Sequence, residues 1–286
     1  MSVSVSFEVF PPKTAAGIDQ LANTTRRLLA VRPNYISVTY GAGGTDRDRS
    51  FAAIDAVQQG GATDIASHVT CVGQSRDDID HTIDDYAALG VRHVVALRGD
   101  PPGGIDAPYE PHPEGYQTTA DLVAAIKQRA GFDVSVSAYP ERHPQSPSDA
   151  HDLDVLAAKV DAGADRAITQ MFFDNAHYLR FVERAHARGI DVPIVPGIFP
   201  IHAPGAVARF AARCGASFPD TVAERFAGLE GDQESTYRVA AELCGEQVDE
   251  LARNGVEHVH IYTLNRPDLT LAVCKRLGLQ ERADAS

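Results

Sequence analysis

Cysteine is scarce in the sequence, and no two cysteines form a CxxC pair. The four that occur, Cys71, Cys214, Cys244 and Cys274, are too widely spaced for a zinc knuckle or a secreted disulfide framework. No apolar run approaches the ~18 residues that a membrane-spanning helix requires. The first residues contain neither the basic nor the apolar segment of a signal peptide. These absences favour a cytoplasmic protein with reduced thiols and no membrane partner.

Basic residues are also fewer than acidic residues. Lysine and arginine total 26 against 39 aspartates and glutamates, so the net charge is −13 at pH 7. A charge of that sign repels nucleic acid and anionic lipid, and neither is expected as a partner. A small anionic substrate would therefore need a local basic pocket. Hydrophobic residues make up 44% of the 286 residues, which is enough for a large core.

The sequence contains one repeated pattern, in which a short apolar segment typical of a strand is followed by an amphipathic segment typical of a helix. The eight predicted strands are Val3–Phe10, Tyr35–Tyr40, Ile65–Val72, His93–Asp100, Val134–Tyr139, Ala167–Phe173, Ile194–Phe199 and Val259–Leu264. The predicted helices are Ile18–Ala30, Phe51–Gln59, Ile79–Leu89, Ala120–Arg129, Leu153–Ala162, Tyr178–Ala187, Ala206–Ala212 and Leu269–Leu277. Eight units over 286 residues average about 36 residues each, close to the ~30 of a βαβ module.

This repetition predicts an α/β fold, a closed (β/α)8 TIM barrel that forms a single domain over residues 1–286. The alternative, a doubly wound open sheet, usually carries GxGxxG after an early strand, and the segment GAGGTD at 41–46 does not have that spacing. The stretch Ala216–Arg253 contains further helical sequence, including Tyr237–Leu251. We therefore expect a helical insertion between strands seven and eight.

The first predicted strand has a polar face. Ser4, Ser6 and Glu8 alternate with apolar residues that must face the helices, so we expect Glu8 to point into the barrel near the carboxyl end of the strand. Burial of an unpaired carboxylate costs several kcal/mol, which favours a functional role for Glu8. The carboxyl ends of the strands form the rim that holds the catalytic loops of such barrels. Further polar residues predicted at that rim are Thr39, His68, Thr70, Arg98, Asp100, Tyr139, Glu141, Gln170, Asn265 and Arg266.

Two histidines, His258 and His260, stand on one face of the last predicted strand. Such a pair is superficially similar to metal ligands, but no carboxylate lies at the spacing of a metal motif. We expect these rings to pack or to form hydrogen bonds, and we predict no metal site.

Nine short blocks of the sequence have the order and spacing of one enzyme family. They are SFEVFPPK at 6–13, SVTYGAGG at 37–44, HVTC at 68–71, ALRGDPP at 96–102, AYPE at 138–141, KVDAGA at 159–164, ITQ at 168–170, VPGI at 195–198 and YTLNR at 262–266. On these blocks the chain resembles the methylenetetrahydrofolate reductases, in their barrel-only, prokaryote-like form. The resemblance extends from residue 6 to about residue 279.

The resemblance implies the reduction of 5,10-methylenetetrahydrofolate to 5-methyltetrahydrofolate with NADH or NADPH, a step of one-carbon metabolism and methionine biosynthesis. In the family, FAD lies in the barrel mouth and relays the hydride. Glu8 matches the general acid, which protonates the departing nitrogen as the imidazolidine ring opens to an iminium. Asp100 matches the carboxylate beside the flavin and the pterin, where its charge stabilises the iminium.

The resemblance also implies binding residues for the folate and the flavin. Gln170 matches an amide that binds the pterin, Phe210 matches an aromatic that stacks on the aminobenzoate or the nicotinamide, and Arg266 offers charge to the glutamate tail. The positions implied for FAD are Thr39, His68, Arg98, Gly99, Asp100, Tyr116, Tyr139, His143, Asp152 and Lys159. The sequence leaves open whether NADH or NADPH is used, and whether the chain forms a homo-oligomer.

The sequence departs from the family's pattern on the helix that in the family faces the FAD diphosphate. Val155, Ala157 and Ala158 stand where members carry polar or cationic residues, so direct hydride transfer from the nicotinamide to the folate is an alternative to the flavin relay. Asp46 stands where the family usually has a small neutral residue. Ala206 stands where some members have a glutamine that touches the folate.

Two other functions are alternatives to a methylenetetrahydrofolate reductase. One is another flavin-dependent barrel oxidoreductase, similar to proline dehydrogenase. This alternative does not explain the FExFPP motif at residues 7–12. The other is a non-catalytic folate- or flavin-binding protein, which has no need of a buried acid such as Glu8.

Overall fold

The structure is a computed structural model, and it describes residues 3–40, 47–101, 103–104, 107–129 and 131–279. The segment at 41–44 and Asp46 lie outside the described residues. The strands are β1 (Ser4–Val9), β2 (Ile36–Val38), β3 (Ile65–Thr70), β4 (His93–Leu97), β5 (Asp133–Ala138), β6 (Arg166–Thr169), β7 (Ile194–Val195), β8 (Gly197–Ile198) and β9 (His258–Tyr262). They form one parallel sheet in the order β7-β6-β5-β4-β3-β2-β1-β9-β8.

The sheet closes into a barrel because β7 and β8 occupy one strand position. Only Pro196 separates them, and β7 pairs with β6 while β8 pairs with β9. Two hydrogen bonds reinforce this junction: the Tyr262 hydroxyl donates to the Thr169 carbonyl at 2.7 Å, and the Gly197 amide donates to the Thr169 hydroxyl at 2.9 Å. A Cβ on Gly197 would lie 2.6 Å from the Tyr262 ring, so glycine is needed there. The predicted TIM-barrel fold is confirmed.

Helices cover the outside of the barrel. In the described chain they are α1 (Ala15–Leu28), α2 (Arg47–Gln59), α3 (Arg76–Ala88), α4 (Thr119–Lys127), α5 (Asp149–Asp161), α6 (Asn175–Ala187), α7 (Pro204–Arg213), α8 (Asp220–Glu224), α9 (Gln233–Arg253) and α10 (Pro267–Arg276). The helices α7, α8 and α9 lie between β8 and β9. Over the residues that the structure describes, no helix is both long and apolar enough to cross a membrane.

Several helices begin upstream of their predicted starts because a capping residue begins each of them. Helix α3 starts three residues before the predicted Ile79–Leu89, after a capping box in which Ser75 and Asp78 each accept a hydrogen bond from the other's backbone amide. Helix α1 follows Thr14, whose hydroxyl accepts from a backbone amide of the first turn. The apolar periodicity becomes visible only at the first buried side chain, about one turn later.

The barrel has an apolar core outside the sheet and a smaller one inside it. The outer core lies between strands and helices and contains large buried rings such as Phe7, Tyr86 and Phe181. The inner cluster is formed by Tyr35, Ala66, Val95, Ile168 and Val195. These inner residues come from the elements between β2 and β7. On the side of β1 and β9 the interior is polar, because the register pairs Ser4 with His258 and Ser6 with His260.

Candidate active site

Two adjoining cavities open at the carboxyl ends of the strands. Leu97, Ser137 and Tyr139 belong to the walls of both. The smaller cavity has a volume of about 290 Å³ and contains Glu8, and the larger has a volume of about 380 Å³ and contains Lys159. We name them the Glu8 cavity and the Lys159 cavity. Together they are large enough for a small-molecule substrate and part of a cofactor.

The structure places Glu8 in the inner wall of its cavity without a lysine or arginine partner among the described residues. Its Oε2 atom lies 3.4 Å from Nε2 of His68 and 3.8 Å from Nε2 of His260. Burial lowers the pKa of His68 and outweighs the opposing effect of the Glu8 charge, so His68 is neutral at physiological pH. The Glu8 side chain is 22% exposed. Its carboxyl group can therefore contact a molecule bound in the cavity.

Gln170 and Phe210, for which the resemblance implies contacts with the folate or the nicotinamide, also line the Glu8 cavity. The Gln170 side-chain carbonyl accepts from the Met171 amide at 2.9 Å, which orients its amino group as a donor. Phe210 lies on α7 with 45% of its surface exposed, and its ring centroid is 5.8 Å from that of Phe199. Ala206 lies one turn earlier on the same helix and is also exposed. The cavity thus offers an amide and a partly exposed aromatic ring to a flat ligand.

The Lys159 cavity contains two cations that form no ion pair with a described residue. The Lys159 amine donates to the Ser137 carbonyl at 3.0 Å and approaches its hydroxyl at 3.4 Å. The Arg98 guanidinium lies 4.6 Å from the centroid of the Tyr109 ring. Burial lowers the pKa of Lys159 to about 8 and outweighs the opposing effect of the Asp152 charge, because burial disfavours the charged ammonium group. An anionic group bound in this cavity would neutralise both side chains.

A turn after β4 brings a cation and a carboxylate into the same wall. Gly99 has a φ of 83°, and a Cβ at this position would lie 2.5 Å from Cγ1 of Val72. The conformation therefore requires glycine. Arg98 and Asp100, on either side of it, both line the Lys159 cavity, and Asp100 is exposed.

The chain after β5 contributes three more of the predicted residues. The rings of Tyr139 and His143 pack edge to face with centroids 4.7 Å apart. The Asp152 carboxylate accepts from the His143 amide at 2.9 Å and fixes the loop to α5. Burial lowers the pKa of His143 and raises that of Tyr139. Both rings are therefore neutral at physiological pH and can exchange hydrogen bonds with a ligand.

One of the three departures on α5 lies in the cavity wall. Asp152, Val155 and Lys159 line the Lys159 cavity at helical spacing, and Val155 is 41% exposed. Ala157 packs against the core outside the barrel, and Ala158 is exposed outside the cavity wall. The interpretation that all three weaken contacts with a cofactor needs correction for Ala157 and Ala158. Successive residues of a helix are about 100° apart, so these two side chains face elsewhere.

Three of the residues that the resemblance implies for binding do not line either cavity. The Tyr116 hydroxyl donates to Asp80 on α3 at 2.6 Å. Thr39 lies at the end of β2, where its neighbour Tyr40 lines the Lys159 cavity instead. Arg266 lines a separate surface groove between α7 and α9. Each would need a ligand that extends beyond the two cavities, or a movement of its side chain, to make the contact that the resemblance implies.

Further residues line the cavities, although the sequence did not identify them as binding or catalytic residues. Ser137 follows Ser135 by two positions on β5 and lines both cavities. Tyr262 follows His260 by two positions on β9 and lines the Glu8 cavity. A period of two is the signal that identifies them, because alternate residues of a strand share a face.

Comparisons with known proteins agree on one family. The family model for methylenetetrahydrofolate reductase matches residues 1–278. The 5,10-methylenetetrahydrofolate reductases of Salmonella typhimurium and Escherichia coli K12 are each 42% identical to the chain over 97% of its length and 92% of theirs. Methylenetetrahydrofolate reductase (NADH) 1 of Zea mays is 32% identical over 98% of the chain, which corresponds to 49% of the plant protein.

Solved structures with low sequence identity support the fold. An uncharacterized protein from Clostridium thermocellum that binds two copies of 5-methyl-5,6,7,8-tetrahydrofolic acid superposes with a TM-score of 0.61 at 12% identity, covering 96% of each chain. A dihydropteroate synthase from Xanthomonas albilineans superposes with a TM-score of 0.52 at 12% identity, covering 97% of this chain and 90% of the other.

If the Lys159 cavity takes the FAD that the resemblance implies, the substitution Val155→Lys is expected to tighten FAD binding by about 1 kcal/mol, or roughly fivefold, because it adds a cation to the cavity wall one turn from Lys159. Ala158→Lys is the matched control, since it places the same charge on the same helix outside that wall. Titration of FAD into apo-protein, followed by flavin fluorescence, measures both. Equal tightening in the two variants would show that net charge, and not position, controls affinity.

FAD affinity is also expected to fall as the pH rises through 8. The pKa of Lys159 is lowered to about 8, so the amine is charged below that pH and neutral above it, and a bound dianion favours the charged form. Titrations at pH 7 and pH 9 should therefore differ by about tenfold. In Lys159→Met the affinity should be weaker and should no longer change over this interval. A flat wild-type profile would contradict contact between Lys159 and the diphosphate.

Proposed function

The chain belongs to the methylenetetrahydrofolate reductase family, and we propose that it reduces 5,10-methylenetetrahydrofolate to 5-methyltetrahydrofolate with NADH or NADPH as the source of electrons. The observation that carries this proposal concerns the described residues: among them, the carboxyl group in one cavity has no lysine or arginine partner, and the two cations in the second cavity form no ion pair. The first supplies a proton and the second an anion-binding site. Reduction of the folate needs the former, and a nucleotide cofactor needs the latter.

Glu8 is the proposed proton donor. The five-membered ring of the substrate must open before a hydride can reach the one-carbon unit, and its departing nitrogen must take up a proton as the bond breaks. Glu8 lies in the inner wall, flanked by His68 and by His260 rather than by a lysine or arginine. A carboxylic acid in such a place delivers its proton directly to a bound ligand. The resulting iminium then accepts the hydride.

The folate is proposed to lie over the Glu8 cavity. The amino group of Gln170 would donate to an acceptor of the pterin, and Phe210 would stack on the aminobenzoate or on the nicotinamide. The proposed partner of the glutamate tail is Arg266, in the neighbouring groove. The Arg266 guanidinium donates to the Tyr237 hydroxyl at 3.0 Å, which fixes its position at the edge of the site.

FAD is the proposed resident cofactor, and the Lys159 cavity fits it. Lys159 and Arg98 would neutralise the diphosphate, while Asp100, Tyr139 and His143 would surround the remaining polar groups. FAD held there would supply the relay by which a hydride passes from the nicotinamide to the folate. Asp100 places a negative charge near that exchange, which favours the cationic iminium. If FAD does not bind, the alternative is direct transfer from the nicotinamide.

The described chain is further proposed to act as one catalytic unit in the cytoplasm. Its four cysteines form no disulfide, which suits a reducing compartment. Three of them, Cys71, Cys244 and Cys274, are buried.

The substitution Glu8→Gln tests the proton donor. The change is nearly isosteric, so the fold and any bound flavin should persist, while folate reduction should fall by at least about a hundredfold. Oxidation of NAD(P)H by an artificial quinone, which needs no proton from Glu8, should persist and serves as the internal control. Equal loss of both activities would instead assign Glu8 a role in maintaining the structure.

The substitution Asp100→Asn tests the electrostatic role of the cavity wall. Removal of a negative charge should raise the reduction potential of bound FAD, because the reduced flavin carries the greater negative charge. Folate turnover should fall, since the cationic iminium loses its counter-charge. Dye-equilibration measurements of the potential and steady-state assays check the two effects. If neither quantity changed, Asp100 would have no part in the site.

A further inference from the structure

The reaction proposed above consumes one proton in every turnover. NAD(P)H, a proton and methylenetetrahydrofolate give NAD(P)⁺ and methyltetrahydrofolate, so Glu8 must regain the proton that it donates. A folate over the Glu8 cavity covers the open side of the carboxyl group. A second route to solvent would restore the proton without waiting for the cavity to empty.

The barrel interior contains such a route on the side of β1 and β9. His260 lies next to Ser6 in register, and its Nδ1 atom is 2.7 Å from the Ser6 hydroxyl oxygen. The same oxygen lies 2.9 Å from Nε2 of His258. At the other end of the path, Nε2 of His260 lies 3.8 Å from Oε2 of Glu8. The side chains of His260 and Ser6 thus connect Glu8 with His258, the first residue of β9.

The two ends of this path differ in their access to water. His260 is 1% exposed, and its Nε2 atom has no hydrogen-bond partner in the described structure. An unpartnered buried nitrogen is costly, and rotation of the Glu8 carboxyl group over about 1 Å would satisfy it. His258, at the amino-terminal end of the barrel, is partly exposed. Burial lowers the pKa of His258 to about 4, so the ring is neutral at physiological pH and has a nitrogen available to accept a proton.

We propose that His258, Ser6 and His260 form a proton path that returns to Glu8, from the amino-terminal end of the barrel, the proton that it donates in the reaction. This inference rests on the proposed function. A proton enters at Nδ1 of His258, and one hydrogen then moves along each link: from Nε2 of His258 to the Ser6 oxygen, from that oxygen to Nδ1 of His260, and from Nε2 of His260 to Glu8. No electrons are transferred, and the carboxylate gains one proton. Each ring has then gained a hydrogen on Nδ1 and lost one from Nε2, and it returns to its starting tautomer by exchanging these hydrogens with water as it rotates.

The other polar groups of the interior do not complete an equivalent path within the described chain. His68 lies 3.4 Å from Glu8, but its ring has no hydrogen-bonded link toward the amino-terminal end. His93 is bonded to Ser135 at 2.7 Å and to Arg166 at 3.1 Å, and no hydrogen bond among the described residues joins this group to Glu8. The titratable and charged groups that face the path are Glu8, Tyr35, His68, His93, Asp133, Arg166 and Tyr262.

The substitution Ser6→Ala interrupts the path without touching Glu8. The proposed function has Glu8 donate a proton that it took up before the folate bound, so a single turnover, with enzyme in excess over methylenetetrahydrofolate, should keep its wild-type rate. With folate in excess, the rate per turnover should fall by about tenfold. A small weak acid such as imidazole, added at increasing concentration, should restore the lost rate. The solvent deuterium isotope effect on the multiple-turnover rate should rise above that of the wild type.

Ser135→Ala is the matched control. Ser135 is as deeply buried as Ser6 and also bonds a histidine ring at 2.7 Å, but it lies off the path. This variant should keep both rates and should show no rescue by imidazole. A general effect on packing would slow both variants alike, and in Ser6→Ala it would slow the single turnover as well.

The outcomes separate this inference from the proposed function. Wild-type protein that reduces no methylenetetrahydrofolate would refute the proposed function. An active wild type together with an unimpaired Ser6→Ala variant would refute the path alone, and would show that Glu8 regains its proton through the open cavity. Equal slowing of single and multiple turnovers in Ser6→Ala, without rescue, would also refute the path, since Ser6 would then support the site only structurally.

Discussion

The parallel register between β1 and β9 determines what surrounds Glu8. It places Ser6 opposite His260 and Glu8 opposite Tyr262, so an acid, a hydroxyl and an imidazole face one another inside the barrel. A shift of one residue would turn each of these side chains toward the helices. The same pairing joins β1, the first strand of the described chain, to β9, the last. Because β9 also pairs with β8, it closes the sheet. The chemistry of the site and the closure of the fold therefore depend on one set of backbone hydrogen bonds.

The Lys159 cavity contains two cations although the chain as a whole is strongly negative. The protein carries a net charge of −13, yet Lys159 and Arg98 stand in one cavity wall without carboxylate partners among the described residues. Burial makes the ammonium group of Lys159 easier to deprotonate, and the cost of its charge falls when an anion binds. The folded protein alone does little to stabilise such a pair of cations. A bound anion would stabilise it, which is why we propose this cavity for a diphosphate.

Much of the fold and part of the site were predictable from the sequence, and the errors have identifiable causes. Eight strand-helix units predicted the barrel because parallel strands and amphipathic helices have distinct periods. Alternation on β1 predicted an inward Glu8. Helix starts were missed by several residues because caps carry no apolar signal. The family's pattern on α5 predicts Ala157 and Ala158 beside the cofactor, whereas rotation about the axis of α5 separates their side chains from the cavity.

The sequence by itself determined the periodicity of the elements, and with it the class of fold, the inward acid and the family to which the chain is similar. It could not decide which inward residues touch. The distance from Glu8 to His260, the two cavities with their shared wall and the position of Arg266 in a separate groove depend on strands and helices that are far apart in sequence. Local periodicity states which way a side chain points on its own element, and only the packing of all elements decides what it meets there.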